Sequence, residues 1–326
     1  MRKVNNDLPS IALAMIVRDA EKTIERAIRS ALQVCSQLLI LDTGSKDSTP
    51  QICSRLGCEI HFLKWNGSFA DARNHLLQFV RTDWIISLDA DEKLDSDSFC
   101  KNKDLLMHEE TGGIRTRIIN ELEDGKIHSK HTYPRIYRSH PEIRYKGKIH
   151  EQINESILNL GYDIQNSDIT IIHYGYSAND PERITRNRKM LKEELIDSPE
   201  DPWLLYHLAE TEFNDENLDE AADFFSKIYD SPMLNSMQKE MSLIRLAQIS
   251  LKNEDFQGVR HWADFKSRDM DREGLRKFVY AAAMLFEQNF EMALRLYNSK
   301  EVNVSSLVDK EQLENAKNLI KKMSLF

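Results

Sequence analysis

The sequence predicts an α/β domain on a mostly parallel sheet over residues 1–178, followed by an all-α domain over 179–326. Three observations carry this reading. Nine of the 11 glycines lie at or before Gly175, and only Gly258 and Gly274 follow, as expected when tight turns between strands give way to continuous helices. Short β-branched runs alternate with amphipathic stretches in the first half alone. Charge divides in the same place, with 23 basic and 25 acidic side chains up to residue 178 and 21 and 28 beyond it. The boundary is expected near Ser177–Pro181.

The apolar run Ile11–Val17 reads as the first strand, and Ile24, Ala27, Ile28 and Ala31 recur behind it at helical spacing. Leu38–Leu41 ends at Asp42, a turn Thr43-Gly44-Ser45 follows, and Asp47 occupies an N-cap position ahead of a helix marked by Ile52 and Leu56. Strand Glu59–Leu63, a helix from Phe69 to Val80 and strand Trp84–Leu88 complete an alternation that calls for parallel strands covered by helices. Ligands of such sheets sit at the strands' carboxyl ends. Beyond residue 110, hairpins are expected around Gly112-Gly113 and Glu123-Asp124-Gly125, then a basic stretch and a β-rich run Ile169–His173.

In the second half, Leu205, Leu208, Ala209, Ala221, Phe225 and Ile228 have the spacing of a helix hairpin whose small residues permit close approach. The pattern recurs, with Ala221, Val259 and Ala293 separated by 38 and 34 residues, which resembles degenerate tetratricopeptide-type repeats. A plain helical bundle is the alternative.

Composition narrows the function. A formal charge of −9 and a pI near 5.7 argue against a chain whose task is to neutralise nucleic-acid phosphates. No run of 18 apolar residues is present and the start MRKVNNDLPS lacks the apolar core of a signal peptide, so no transmembrane segment and a cytoplasmic location are expected. Cys35, Cys53, Cys58 and Cys100 show no C-x-x-C spacing and read as reduced packing residues.

The chemistry is concentrated at strand ends. Strand Trp84–Leu88 runs into Asp89-Ala90-Asp91-Glu92, placing carboxylates where a hard divalent cation holds one or two of them and keeps its other positions for water and diphosphate oxygens. In isolation such a motif also reads as a helix cap. Asp42 ends an earlier strand on the same edge, where it can accept from a base or a ribose, or close an Asx-turn. Trp65 to Asn74 combines an aromatic, a turn and a helix start bearing Asp71, Arg73 and Asn74, supplies for a nucleotide or for an ion-pair network.

These segments, with Ala14 to Asp19, Leu41 to Thr49, Arg135-Ile136-Tyr137-Arg138, Gly147-Lys148-Ile149-His150-Glu151 and His173-Tyr174-Gly175-Tyr176, resemble the family 2 glycosyltransferases. The resemblance implies a GT-A fold, a Rossmann-like sheet here followed by tetratricopeptide-like helices. It also implies transfer of a hexose or N-acetylhexosamine from a UDP-sugar with inversion, aided by Mn2+ or Mg2+. Asp42 and Asp71 would contact the nucleoside, Asp89, Ala90 and Asp91 the ribose, metal and diphosphate, and Arg73 would bind the donor too, with Trp65 a further candidate. Glu151 is then the candidate general base and His150 a further ligand beside Asp91. Arg135 and Arg138 belong to a basic stretch suited to phosphate, and His173 is an alternative ligand. Within the family the chain is most similar to the sublancin-type peptide S-glycosyltransferases, implying a cysteine acceptor; transferases acting on glycans or lipopolysaccharide cores share the same motifs. The helical half suits peptide binding or a homodimer, and if the aspartates were only caps the chain would be a non-catalytic, peptide-binding adaptor.

Overall fold

The computed structural model describes residues 9–122, 127–174 and 181–323. The chain divides into two compact units, one ending at residue 177 and the other beginning at 178. The turn expected at Glu123-Asp124-Gly125, the segment Gly175-Tyr176 and the boundary stretch up to residue 180 lie outside the described residues.

In the first unit β1 (Ile11–Val17), α1 (Ile24–Ala31), β2 (Gln37–Asp42), α2 (Thr49–Arg55), β3 (Glu59–Phe62), α3 (Phe69–Leu77) and β4 (Trp84–Ser87) alternate as expected. They are followed by β5 (Glu92–Leu94), α4 (Ser96–Asn102), β6 (Thr111–Glu121), β7 (Ile127–Arg138), α5 (Asn154–Asn159) and β8 (Asp163–Tyr174). The eight strands among the described residues form one sheet in the order β3-β2-β1-β4-β7-β6-β8-β5. The first four are parallel, β7 runs antiparallel to β4 and to β6, and β8 runs parallel to β6.

Strand β1 is apolar on both faces because helices cover both. Ile11, Leu13, Met15 and Val17 point into a cluster with Ile24, Ile28 and Phe99, while Ala12 and Ala14 point into another with Leu76, Tyr137 and Tyr145. Gly112 and Gly113 make no turn; they lie inside β6. A Cβ at Gly112 would collide with Tyr162, so the glycine answers a close approach. Cys53 is buried and Cys35 and Cys58 half-buried, but Cys100 is exposed and does not pack as expected.

The second unit is helical throughout: α6 (Pro181–Asp197), α7 (Pro202–Asn214), α8 (Leu218–Ile228), α9 (Ser236–Lys252), α10 (Phe256–Trp262), α11 (Met270–Phe286), α12 (Phe290–Tyr297), α13 (Lys300–Val304) and α14 (Lys310–Met323). Ala221, Val259 and Ala293 are fully buried where paired helices meet. Side chains of Asp201, Asn235, Asp255, Asp269 and Asn289 cap α7, α9, α10, α11 and α12. No helix among the described residues is long and apolar enough to cross a membrane.

Candidate active site

Because β1 to β4 are parallel, their carboxyl ends share one edge, and the strand order reverses between β1 and β4. Asp42 closes β2 at this edge and is 2% exposed. Its Oδ1 accepts the N–H groups of Gly44 and Ser45 at 2.8 and 2.7 Å, an Asx-turn made possible by Gly44 at φ +113. Its Oδ2 is buried and finds no partner among the described residues. A buried carboxylate oxygen left unsatisfied is costly; the turn accounts for Oδ1 and leaves Oδ2 without a partner among the described residues.

At the end of β4, Asp89 to Glu92 form a closed turn. Glu92 N–H donates to the Asp89 carbonyl at 3.1 Å, and the Glu92 Oε2 accepts the Asp89 N–H at 2.9 Å. Arg135 on β7 donates through Nη2 to Asp89 Oδ2 (3.0 Å) and Glu92 Oε1 (2.7 Å). Arg73 on α3 donates to Ser87 Oγ (2.7 Å), Asp89 Oδ1 (2.9 Å) and Glu151 Oε1 (2.5 Å). Burial works against ionising Asp89, but Arg135 and Arg73 outweigh it and hold the carboxyl well below the usual range. Burial pushes Glu92 up to about 7 against the pull of Arg135, and the neighbouring Asp89 and Asp91 carboxylates add to the rise.

Asp91 projects from this turn and remains half-exposed, with Oδ2 3.1 Å from His173 Nε2. The other ring nitrogen, Nδ1, lies 3.0 Å from Asn120 Oδ1. Burial alone would lower the pKa of His173, but the Asp91 contact and the Glu92 and Asp89 carboxylates raise it.

The loop after β7 is fixed on α3. Lys146 and Gln152 exchange backbone hydrogen bonds of 2.9 and 2.8 Å, closing residues 147–151 into a tight excursion with Gly147 at φ +92 and His150 at φ +52. Phe69 N–H donates to the Lys148 carbonyl at 2.8 Å, and Asn74 clamps Tyr145 by two bonds of 2.8 Å. With Tyr133 Oη donating to the Glu151 carbonyl, these contacts deliver Glu151 to Arg73.

Residues 12–160 match the profile of Glycosyl transferase family 2. The first unit is a family 2 glycosyltransferase domain. Its mixed, Rossmann-like sheet is of the GT-A kind. A TPR repeat-containing protein of Synechococcus elongatus is 32% identical over 206 residues, 60% of this chain and 51% of that protein. The SPbeta prophage-derived glycosyltransferase SunS of Bacillus subtilis is 24% identical over 275 residues, 82% of this chain and 65% of SunS. The chain thus spans between about half and just under two thirds of the length of these relatives. Among solved structures, S. aureus TarS with UDP-GlcNAc is 11% identical, with 86% of this chain and 92% of TarS covered at a TM-score of 0.43.

In the glycosyltransferase domain, Asp42, Asp89 and Asp91 come to one edge with Trp65 and Asp71, which follow β3. Asp71 is exposed, its Oδ2 accepting from Asn66 at 2.8 Å, and Trp65 meets Phe69 edge-on at 4.8 Å. Ala90 packs on the core. Four of the expected site residues have partners within the protein. Arg73 takes the ion-pair role: it is 8% exposed and bridges three partners, its guanidinium reaching from α3, which packs on β1 and β2, to Ser87 at the end of β4. Asp89, expected on ribose or diphosphate, has both oxygens committed to guanidinium groups. Asp91 pairs with His173 rather than His150, and among the described residues no three His, Cys, Asp or Glu side chains gather to hold a metal ion. Arg138 sits opposite Trp84 at the start of β4, the other edge of the sheet, where it donates to the carbonyls of Thr111 and His108. The basic stretch is dispersed accordingly: Arg144 donates to the carbonyl of Ile143, and Lys146 pairs with Glu155.

Glu92, Asn120, Ser87 and Tyr133 were given no role by the sequence. Glu92 carried a signal, following Asp91 directly, but its function depends on the turn reaching back to Asp89. Asn120 carried none, since it meets His173 only through the parallel register of β6 and β8.

Proposed function

We propose that the protein is an inverting glycosyltransferase that moves a hexose or N-acetylhexosamine from a UDP-sugar to a cysteine of a peptide. The observation that carries this reading is the convergence of Asp42, with its buried unpaired oxygen, and the Asp91–His173 pair on one sheet edge. Asp42 Oδ2 offers an acceptor for an N–H of the base. Asp91 and His173, an oxygen and an imidazole nitrogen side by side, fit a divalent cation that takes its remaining ligands from water and the donor. When bound, Mn2+ or Mg2+ supplies charge stabilisation to the departing diphosphate. Arg73, Arg135 and Glu92 hold the turn that aims Asp91.

In a single displacement, the acceptor sulfur bonds to the anomeric carbon as the bond to the diphosphate breaks, and a proton leaves the sulfur. Glu151 is the group nearest to that task, but its Oε1 takes the Arg73 N–H. A thiol, with a reference pKa of about 8.5, is partly ionised at neutral pH and asks less of a base than an alcohol does. The helical unit is the proposed surface for the acceptor or a second copy of the chain. A glycan or lipopolysaccharide-core hydroxyl is the alternative acceptor.

The test is donor hydrolysis across UDP- and GDP-sugars with Mn2+, followed by mass spectrometry of a cysteine peptide and its serine counterpart. Metal-dependent turnover of a UDP-sugar with one added sugar on cysteine is expected. Hydrolysis without peptide transfer would favour the glycan acceptor. Calorimetry showing no metal-dependent nucleotide binding in wild type or Asp91→Ala would leave the adaptor.

A further inference from the structure

His173 stands between two residues that ask opposite things of its ring. Parallel pairing of β6 and β8 sets Asn120 opposite His173, and antiparallel pairing of β5 and β8 sets Glu92 opposite it on the other side, bringing the Asp91 turn alongside. Nδ1 is 3.0 Å from the Asn120 amide oxygen and Nε2 is 3.1 Å from the Asp91 carboxylate. An amide oxygen only accepts, so the ring hydrogen on that side belongs to Nδ1. In the neutral ring Nε2 then carries a lone pair facing a carboxylate oxygen, two acceptors in contact, an arrangement relieved either by a proton on Nε2 or by a cation that both atoms ligate. The opposite tautomer would instead satisfy Asp91 with an N–H and oppose a metal.

We propose that Asn120 is a positioning residue: by accepting from Nδ1 it holds neutral His173 in the Nδ1–H form and keeps the Nε2 lone pair turned on Asp91. Asn120 is 4% exposed, so water does not compete for its oxygen. Histidines that ligate metals commonly donate their second ring nitrogen to such an acceptor, which fixes the tautomer and raises the basicity of the ligating nitrogen. The inference rests on the reading that Asp91 and His173 hold the cation, but its first test needs no metal.

Nitrogen-15 NMR of the histidine rings in the metal-free full chain, above the pH at which His173 titrates and with His173→Gln for assignment, reads the tautomer directly. Wild type is expected to show Nδ1–H. Asn120→Leu is expected to move the ring toward Nε2–H and to weaken Mn2+ binding, followed by calorimetry, about 10- to 100-fold. Asn120→Asp, which still accepts, should keep the wild-type tautomer and its Mn2+ binding. An Nε2–H ring in wild type, with the amide nitrogen rather than its oxygen toward the ring, overturns the proposal even if Asn120→Leu does not fold. So does an unchanged tautomer in a folded Asn120→Leu. An Nδ1–H ring that depends on Asn120 in a protein that binds no Mn2+ supports the positioning role and overturns only the metal reading.

Discussion

Arg73 and Glu151, 78 positions apart in the chain, meet through an Nε–Oε1 hydrogen bond of 2.5 Å. The same guanidinium reaches Ser87 and Asp89, so one buried cation joins the loop carrying Glu151 to the turn carrying Asp91. Arg135 extends the chain of charges to Glu92. The two segments that bear the candidate chemistry, each held by its own hydrogen bonds, are therefore also tied to one another by a network of ion pairs.

Removing that cation leaves Glu151 without its guanidinium partner and Asp89 with Arg135 alone. Arg73→Ala is expected to cost about 3–5 kcal/mol of stability, the penalty for breaking a buried pair from one side, measured by denaturant unfolding of the full chain. Arg73→Lys keeps the charge but loses the fork that serves three acceptors at once, so it should recover only part of the loss. Equal stability of Arg73→Ala and wild type would mean that Asp89 and Glu151 do not depend on it.

Asp42→Asn separates the two uses of that side chain. Asparagine keeps an oxygen for the N–H groups of Gly44 and Ser45, and replaces the unpaired Oδ2 with an amide donor. The fold should keep its melting temperature while UDP affinity falls about 10-fold or more, since a hydrogen bond to a charged acceptor is worth roughly 1.5–3 kcal/mol. Calorimetry with UDP and Mn2+ reads this; unchanged affinity would remove Asp42 from the nucleotide site.

What the sequence disclosed follows the range of the interactions involved. The periodicity of Ile11–Val17 and the strand-ending positions of Asp42 and Asp89 are local, and the parallel alternation carried them to a common edge. The partners of Arg73 are not local, since they are set by how α3 packs on β1 and β2, beside β4, and by the loop folding back onto the helix. Arg138 illustrates the opposite error: three residues from Arg135 along an antiparallel strand, it lies about 10 Å farther along the sheet and at the wrong edge. Gly112-Gly113 had the composition of a turn, but the approach of Tyr162 that demands glycine there is a tertiary fact.

The helical unit should lose stability in acid through identifiable carboxylates. Glu240 on α9 accepts from Ser267 Oγ and Arg272 Nε, each at 2.6 Å, and from Ser236 Oγ at 3.1 Å. Burial would raise its pKa, but these hydrogen bonds together lower it, and Glu273 is lowered likewise by Arg276 and the Ser267 N–H against its own burial. A depressed folded pKa contributes stability above the unfolded carboxyl value of about 4.3, lost as pH falls through the folded value. Melting followed by circular dichroism should be flat from neutral pH to about 5 and decline below about 4. Glu240→Gln should be less stable at neutral pH by about 1–3 kcal/mol, with the difference closing in acid. A constant difference across the range would show that ionisation of Glu240 is not its source.

Gly274 offers the sharpest test of packing in the same unit. In an open helix alanine is favoured over glycine by about 1 kcal/mol, so Gly274→Ala in the second turn of α11 would ordinarily stabilise. Here a Cβ would run into the Glu301 backbone oxygen of α13 and the Ser305 Cβ, and backbone cannot swing aside as a side chain can. Overpacking of this kind costs about 1–3 kcal/mol and reverses the sign. Gly258 on α10 is the internal control: its Cβ would meet only the tips of Asp255 and Ser250. Displacing them weakens the cap in which Asp255 Oδ1 accepts the Gly258 N–H at 2.9 Å, a smaller loss. Gly274→Ala should therefore melt lower than both wild type and Gly258→Ala; if it melts higher than wild type, α11 and α13 do not approach as closely as their glycine contact requires.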